Sequence, residues 1–358
     1  MELRTYDIKN TGEIKIHGRT DGSYPLTLYY TASGIEMNVS GSELYINFRA
    51  KRSDFEPWVA IIADGVPISR FMVANGDSRV CIFRRMNDST FKNIRIIKET
   101  QPLDDELLQI VSVESNGEFA PVADKKIKIE FIGDSITSGE GAIGAACERD
   151  WIPMWFSAVN DYAYMTAQRL DADYRVCSQS GWGVYSNWCN NTNQNIPSIY
   201  EKVCGVSANP EAKADYDFSS FKPDIVSIYL GANDSSAFNQ PEWVDENGVP
   251  HKLRLRDDGQ PEKDSLEKVE GAVREFLKTV RRHNPESYIF WICGGMAGEF
   301  LTPMIKSVIA DFQINDKKTD LITLPPLPDG MLGALSHPSV RAHEWMTEFI
   351  TKRFAAVL

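Results

Sequence analysis

The spacing of apolar residues changes character near residue 120. Before that point they form short runs, several alternating with polar residues, as in Leu44-Tyr45-Ile46-Asn47-Phe48. A period of two is that of a strand with one buried face. Strands are predicted at Leu26–Tyr30, Ile35–Val39, Leu44–Phe48, Val59–Ile62, Phe71–Ala74, Val80–Phe83, Ile94–Ile97 and Leu108–Val113. Turn signals separate them: Ser40-Gly41, Asp64-Gly65, Asn75-Gly76 and Asn87-Asp88. No segment here has a helical period. The pattern predicts an all-β, jelly-roll-like sandwich over residues 1–120.

From Lys126 onward strands alternate with helices, which predicts a parallel sheet. Strands are expected at Ile127–Ile132, Tyr174–Ser178, Asp224–Leu230, Tyr288–Cys293 and Leu321–Leu324. A helix is expected around Val159–Leu170. A second starts at Asp264, with Glu267 completing a capping box and Val269, Val273, Phe276 and Val280 on one face. Pro338 is expected to open a last helix whose apolar face is Trp345, Phe349, Ile350 and Phe354. Residues 125–358 thus form a second, α/β domain. The connecting segment, Asn116–Asp124, is short, so the two domains are expected to pack closely.

Composition narrows the partners. The 358 residues carry a net charge of -12. That balance argues against a nucleic-acid partner and against anionic membrane surfaces, both of which need clustered Lys and Arg. No apolar run is long enough to span a bilayer. Met1–Asp7 shows no basic and apolar leader pattern. The six cysteines contain no C-x-x-C pair and read as free, mostly buried thiols. Together these features predict a cytoplasmic protein.

Four polar clusters each follow a strand or precede the last helix. Gly133-Asp134-Ser135 ends the first parallel strand, and a hydroxyl there is a nucleophile if a base reaches it. Ser180-Gly181-Trp182-Gly183 follows the second, where glycine lets a main-chain N–H approach a ligand. Gly231-Ala232-Asn233-Asp234 follows the third, and its amide can donate to an oxyanion. Ser336-His337-Pro338 precedes the last helix. Each reads singly as a turn or cap, and His343 as a structural histidine. In order, Ser135, Gly181, Asn233 and His337 resemble the four signature residues of the SGNH, or GDSL, hydrolase superfamily. The resemblance covers Lys126–Leu358. The leading sandwich, the Ile97–Thr100 tract and the Tyr-rich helix before Asp173-Tyr174 are further similar to carbohydrate esterase family 2.

That resemblance implies a three-layer α/β/α fold and removal of acetyl groups from plant-polysaccharide sugars, mannan or xylan. The substrate would be an acetylated oligosaccharide, with no metal and no cofactor. It implies Ser135 as nucleophile, His337 as base, and an oxyanion hole of Ser135, Gly181 and Asn233. The superfamily's aspartate, three residues before the histidine, is replaced by Ala334. A main-chain carbonyl is expected to orient His337, with Asp329 as the alternative. Asp134 and Asp234 read as loop-organising carboxylates, and Asp234 is placed with Trp182 among residues expected to meet substrate. Phe238, Trp243, Trp188, Trp151 and Trp155 are further aromatic candidates for the cleft. Two other functions stay open: a lipid or thioester hydrolase of the same superfamily, and a non-catalytic carbohydrate-binding protein.

Overall fold

The structure is a computed structural model that describes residues 2–52, 54–296 and 301–358. Five parallel strands form the sheet of the C-terminal part, in the order Ala172–Ser178, Ile127–Gly133, Ile225–Tyr229, Tyr288–Gly294, Thr319–Leu324. All five expected strands are present, each within a few residues of its predicted bounds. The first strand in the chain lies between the second and third, so the connections run off in opposite directions from it. A crevice opens at such a switch point, beyond the carboxyl ends of the strands.

Alternate side chains of these strands feed two apolar layers. Ile132, Val226, Ile228, Ile289 and Trp291 face the helices Lys263–His283 and Thr302–Asn315. Ile129, Phe131, Phe290 and Ile292 face the helices Tyr162–Arg169 and Val340–Ala355. This is the three-layer arrangement expected, and burial on both faces explains why the strands read as nearly continuous apolar runs.

Helix boundaries and faces depart from expectation. The helix assigned to Asp264 begins at Lys263, with Glu262 at the cap position and no side-chain cap, so the capping box does not form. Pro338 lies two residues before the last helix, whose cap position is Ser339. On that helix Met346, Ile350 and Phe354 are buried, while Phe349 is exposed and Trp345 only partly covered. The helix Thr302–Asn315 has no counterpart in the expectations above.

The N-terminal part forms two antiparallel sheets. Leu44, Ile46, Phe48, Ile110 and Val113 of one and Ile35, Met37, Val39, Ile94 and Ile96 of the other share a single core, as a sandwich requires. Each of the eight expected strand regions overlaps an observed strand, though Leu26–Tyr30 is reduced to Leu26–Thr27. Short strands at Arg4–Tyr6 and Lys15–His17 had no apolar period to mark them.

The sandwich is keyed into the α/β part by buried charge. Arg19 is fully buried and donates to the carbonyls of Tyr200 (2.6 Å) and Lys202 (2.9 Å) and to Glu130 Oε1 (2.9 Å). Glu130 stands on the first parallel strand, and its other oxygen accepts from the Tyr200 hydroxyl at 2.9 Å. A second buried carboxylate, Glu99, pairs with Arg70 at 3.1 Å and accepts from the Val159 N–H at 3.2 Å. Among the described residues no helix is long and apolar enough to cross a membrane.

Removing one partner of a buried ion pair leaves an uncompensated charge. Arg19→Ala is therefore expected to cost about 3–5 kcal/mol, read as a lowered midpoint in urea unfolding. Replacing Glu130 by Gln in the same chain should recover part of that loss. A single-variant cost under about 1 kcal/mol would contradict the keying role.

Candidate active site

The first parallel strand ends at Gly133, and the chain turns at once through Asp134 and Ser135. Asp134 Oδ1 accepts from the Ile136 N–H at 3.0 Å, which shapes the turn. Ser135 is 8% exposed at the crevice floor. From the far end of the chain, His337 reaches it with a Nε2–Oγ separation of 2.8 Å. The serine and the imidazole that the sequence separates by 202 positions are in hydrogen-bond contact.

The other edge of the imidazole faces main chain. His337 Nδ1 lies 3.1 Å from the Leu335 carbonyl oxygen. A carbonyl only accepts, so Nδ1 carries the proton and Nε2 is left as an acceptor for the Ser135 hydroxyl. Leu335 (φ 56°) and Ser336 (φ 59°) are both left-handed, an uncommon conformation for residues with side chains. Two flanking bonds hold the turn: the Leu335 N–H donates to Glu148 O at 3.0 Å, and the His337 N–H to Ala334 O at 3.0 Å. Asp329, the alternative orienting group, is exposed on the preceding loop.

Gly181 and Asn233 meet the same crevice. Gly181 has φ +78°, and a Cβ there would lie 3.1 Å from the Trp188 ring. Among the described residues, neither the Ser135 N–H nor the Gly181 N–H donates to a protein acceptor. Asn233 Nδ2 lies 3.1 Å from Asp134 Oδ2 and 3.2 Å from the Trp182 carbonyl. Both neighbours fix the amide with its nitrogen toward the serine turn.

Two expectations about substrate contact are corrected. Asp234 is completely buried, with its carboxylate accepting from the N–H groups of Val184 (2.8 Å), Tyr185 (2.8 Å) and Ser186 (3.2 Å). It organises the loop after the second strand and has no access to a ligand. Trp182 packs partly buried against the core and is not among the residues that line the crevice. Trp188, 46% exposed, and Trp151 line the crevice instead. Phe238 is buried, Trp243 packs on His251, and Trp155 lies behind the wall.

The crevice holds about 710 Å³. Residues that no motif flagged complete it: Gln101 and the apolar Leu103 from the N-terminal part, then the polar Glu140, Gln179, Ser236 and Gln240. Gln101 Oε1 accepts from the Ser180 N–H at 2.7 Å, so the sandwich braces the loop that carries Gly181. Glu140 sits in Ser138-Gly139-Glu140-Gly141, where a charged residue between glycines was a usable signal. His343 is buried, stacks on Tyr162 and accepts its N–H at 3.2 Å. Burial pushes it down to about 3, so it stays neutral and structural, as expected. The six cysteines are free, with Cys177, Cys204 and Cys293 buried.

A serine–imidazole pair at the switch point of a three-layer parallel α/β fold defines a hydrolase-type site. Residues 131–346 match the GDSL-like lipase/acylhydrolase family, and the chain belongs to that family. An acetyl xylan esterase, Est2A from Butyrivibrio proteoclasticus, is 36% identical, with 98% of each chain covered and a TM-score of 0.94. A family two carbohydrate esterase from Clostridium thermocellum, solved with cellohexaose, is 25% identical over 96% of this chain and 100% of that one, at a TM-score of 0.81. The cellulase/esterase CelE of Acetivibrio thermocellus is 26% identical over 361 aligned residues. That match takes in 98% of this chain but spans only 40% of CelE.

Asp134 gives the site a pH signature. It is buried, and loss of hydration pushes its carboxyl up to about 7. Between roughly pH 4 and 7 the folded chain then holds a proton that the unfolded chain has released. This group's contribution to stability therefore falls as pH rises across that window. Urea unfolding at several pH values should show a shallower decline in Asp134→Asn than in the parent. Parallel curves would refute the assignment.

Proposed function

We propose that this chain is a serine esterase that removes O-acetyl groups from acetylated oligosaccharides of the xylan or mannan type. The observation that carries this reading is the Ser135 Oγ–His337 Nε2 contact of 2.8 Å, set beside two main-chain N–H groups without acceptors among the described residues. In this reading residues 125–358 are the catalytic domain and residues 1–120 an accessory one.

His337 Nε2 takes the Ser135 proton as Oγ attacks the acetyl carbonyl. Negative charge develops on the carbonyl oxygen. The N–H groups of Ser135 and Gly181 receive it, and the Asn233 amide joins them by turning one N–H away from Asp134 Oδ2 or the Trp182 carbonyl, each such donor being worth about 3–4 kcal/mol of barrier. The imidazolium returns the proton to the departing sugar oxygen. Water, deprotonated by the same ring, attacks the acetyl-enzyme; the Oγ–acyl bond breaks, acetate leaves, and the imidazolium returns its proton to Ser135 Oγ. Throughout, the Nδ1–H stays on the Leu335 carbonyl, which does for orientation what a carboxylate does in a Ser-His-Asp set. This chain's own residues supply every group that these steps use.

The lining favours a sugar over a lipid. Gln101, Gln179, Ser180, Asn233, Ser236 and Gln240 offer hydrogen bonds, and Trp151 and Trp188 offer flat faces for pyranose rings. Similarity to an acetyl xylan esterase points the same way.

Time-resolved NMR of acetate release from acetylated xylan and mannan oligosaccharides tests the proposal. Ser135→Ala and His337→Ala are each expected to lose at least about a thousandfold in kcat. Asp329→Asn should stay within about twofold of the parent, since that carboxylate is exposed and apart from the ring. A large loss there would transfer the orienting role to Asp329. A series of p-nitrophenyl esters should favour acetate, and preference beyond butyrate would support the lipid alternative. Trp188→Ala should raise KM about three- to tenfold with little change in kcat, and unchanged kinetics would remove it from the site.

A further inference from the structure

Glu140 is a buried carboxylate at the reacting centre that the steps above do not use. It is 4% exposed, yet it lines the crevice with Ser135 and His337. Its Oε1 lies 3.8 Å from His337 Nε2, too far for a hydrogen bond. Its Oε2 has no hydrogen-bond partner among the described residues. Among the described residues its only ion-pair contact within 4 Å is that imidazole.

The backbone holds the group there. Gly139 and Gly141, on either side, are left-handed at φ +70° and +72°. The Ser157 N–H donates to Gly139 O at 2.9 Å, and the Ala334 N–H to Gly141 O at 3.0 Å. The Glu140 N–H itself donates to Ser135 O at 3.0 Å. The residue is thus pinned on both sides and from behind, and the carboxylate does not swing to solvent by a simple loop motion.

Two neighbours repeat the pattern. Gln179 and Ser180 also line the crevice, and Gln179 Oε1 and Ser180 Oγ are shielded from solvent with no partner among the described residues. Glu140 Oε2 and Gln179 Oε1 are acceptors waiting for donors. A buried polar atom left unpaired is costly, so such a set is built for a ligand that brings hydroxyl groups.

We propose that Glu140 accepts a hydrogen bond from a free hydroxyl on the carbon next to the ester-bearing carbon of the leaving sugar, and so selects monoacetylated vicinal diols. The inference rests on the esterase reading. The departing oxygen must sit within hydrogen-bond reach of His337 Nε2 to receive its proton. Oxygens on adjacent ring carbons lie about a hydrogen-bond length apart. The neighbouring hydroxyl therefore falls where the Glu140 carboxylate can accept from it. Sugars acetylated at a secondary position with the adjacent hydroxyl free fit this site. A fully acetylated diol offers it no donor.

The test pairs a methyl pyranoside acetylated at one secondary hydroxyl with its analogue in which the adjacent hydroxyl is replaced by hydrogen. The parent enzyme is expected to favour the hydroxyl-bearing ester by at least about tenfold in kcat/KM. Glu140→Gln should shrink that ratio and Glu140→Ala bring it to within about threefold of unity. A purely structural role would lower both substrates together and leave the ratio intact, which overturns the inference. If neither variant folds, the parent's ratio decides alone: a value near one overturns the inference and a tenfold preference upholds it. Hydrolysis of both esters without preference defeats the Glu140 inference and leaves the esterase reading standing. Failure to release acetate from either sugar, or from p-nitrophenyl acetate, defeats both.

Discussion

One hydrogen bond, Ser135 to His337, depends on nearly every other feature described. Its two residues come from opposite ends of the α/β part, and no local segment holds them together. The serine is placed by the end of a strand buried on both faces. The histidine is placed by a strained turn whose main chain is bonded to Gly141 and Glu148, in the segment that follows the serine. The two loops therefore fix one another as well as their own side chains. A shift of either by an ångström would part the pair, and geometry at that scale governs rate in acyl transfer.

The N-terminal sandwich is part of this arrangement. Arg19 reaches under the sheet to Glu130 on the strand that presents Ser135. Gln101 holds the Ser180 N–H, one residue from Gly181. The first contact is buried and the second partly buried, and a missing partner is costly where water is excluded. The sandwich thus acts on the crevice through hydrogen bonds to backbone and strand, in addition to any surface it offers to sugars.

Much of the architecture could be read from the chain, because parallel strands buried on both faces leave long apolar runs. The order Ser135, Gly181, Asn233, His337 was legible for a related reason. Connections in a parallel sheet bring every strand's carboxyl end to one edge, so residues that follow strands converge. Other features were hidden because tertiary context decides them. Trp182 packs on the core and Trp188 lines the crevice, a difference set by the fold of the loop and not by residue type. Arg19 sits in a turn-rich stretch that reads as solvated, and only its distant partners make burial tolerable. The helix Thr302–Asn315 starts without a side-chain cap, so Pro303 in its first turn is the one start signal there. Glu140 carries a signal in its flanking glycines, but its burial follows only from the loops that close over it.

The orienting acceptor for His337 is an oxygen of the peptide chain. Every amino acid at position 335 would bring the same atom, so no codon change there deletes it. Drift at this site is felt only through the ease with which the turn keeps its left-handed shape. A triad aspartate can vanish in a single mutational step, whereas this acceptor can only be nudged out of line. Inheritance of the orienting contact is thereby tied to loop geometry, and aligned sequences of related chains would carry no conserved letter for it.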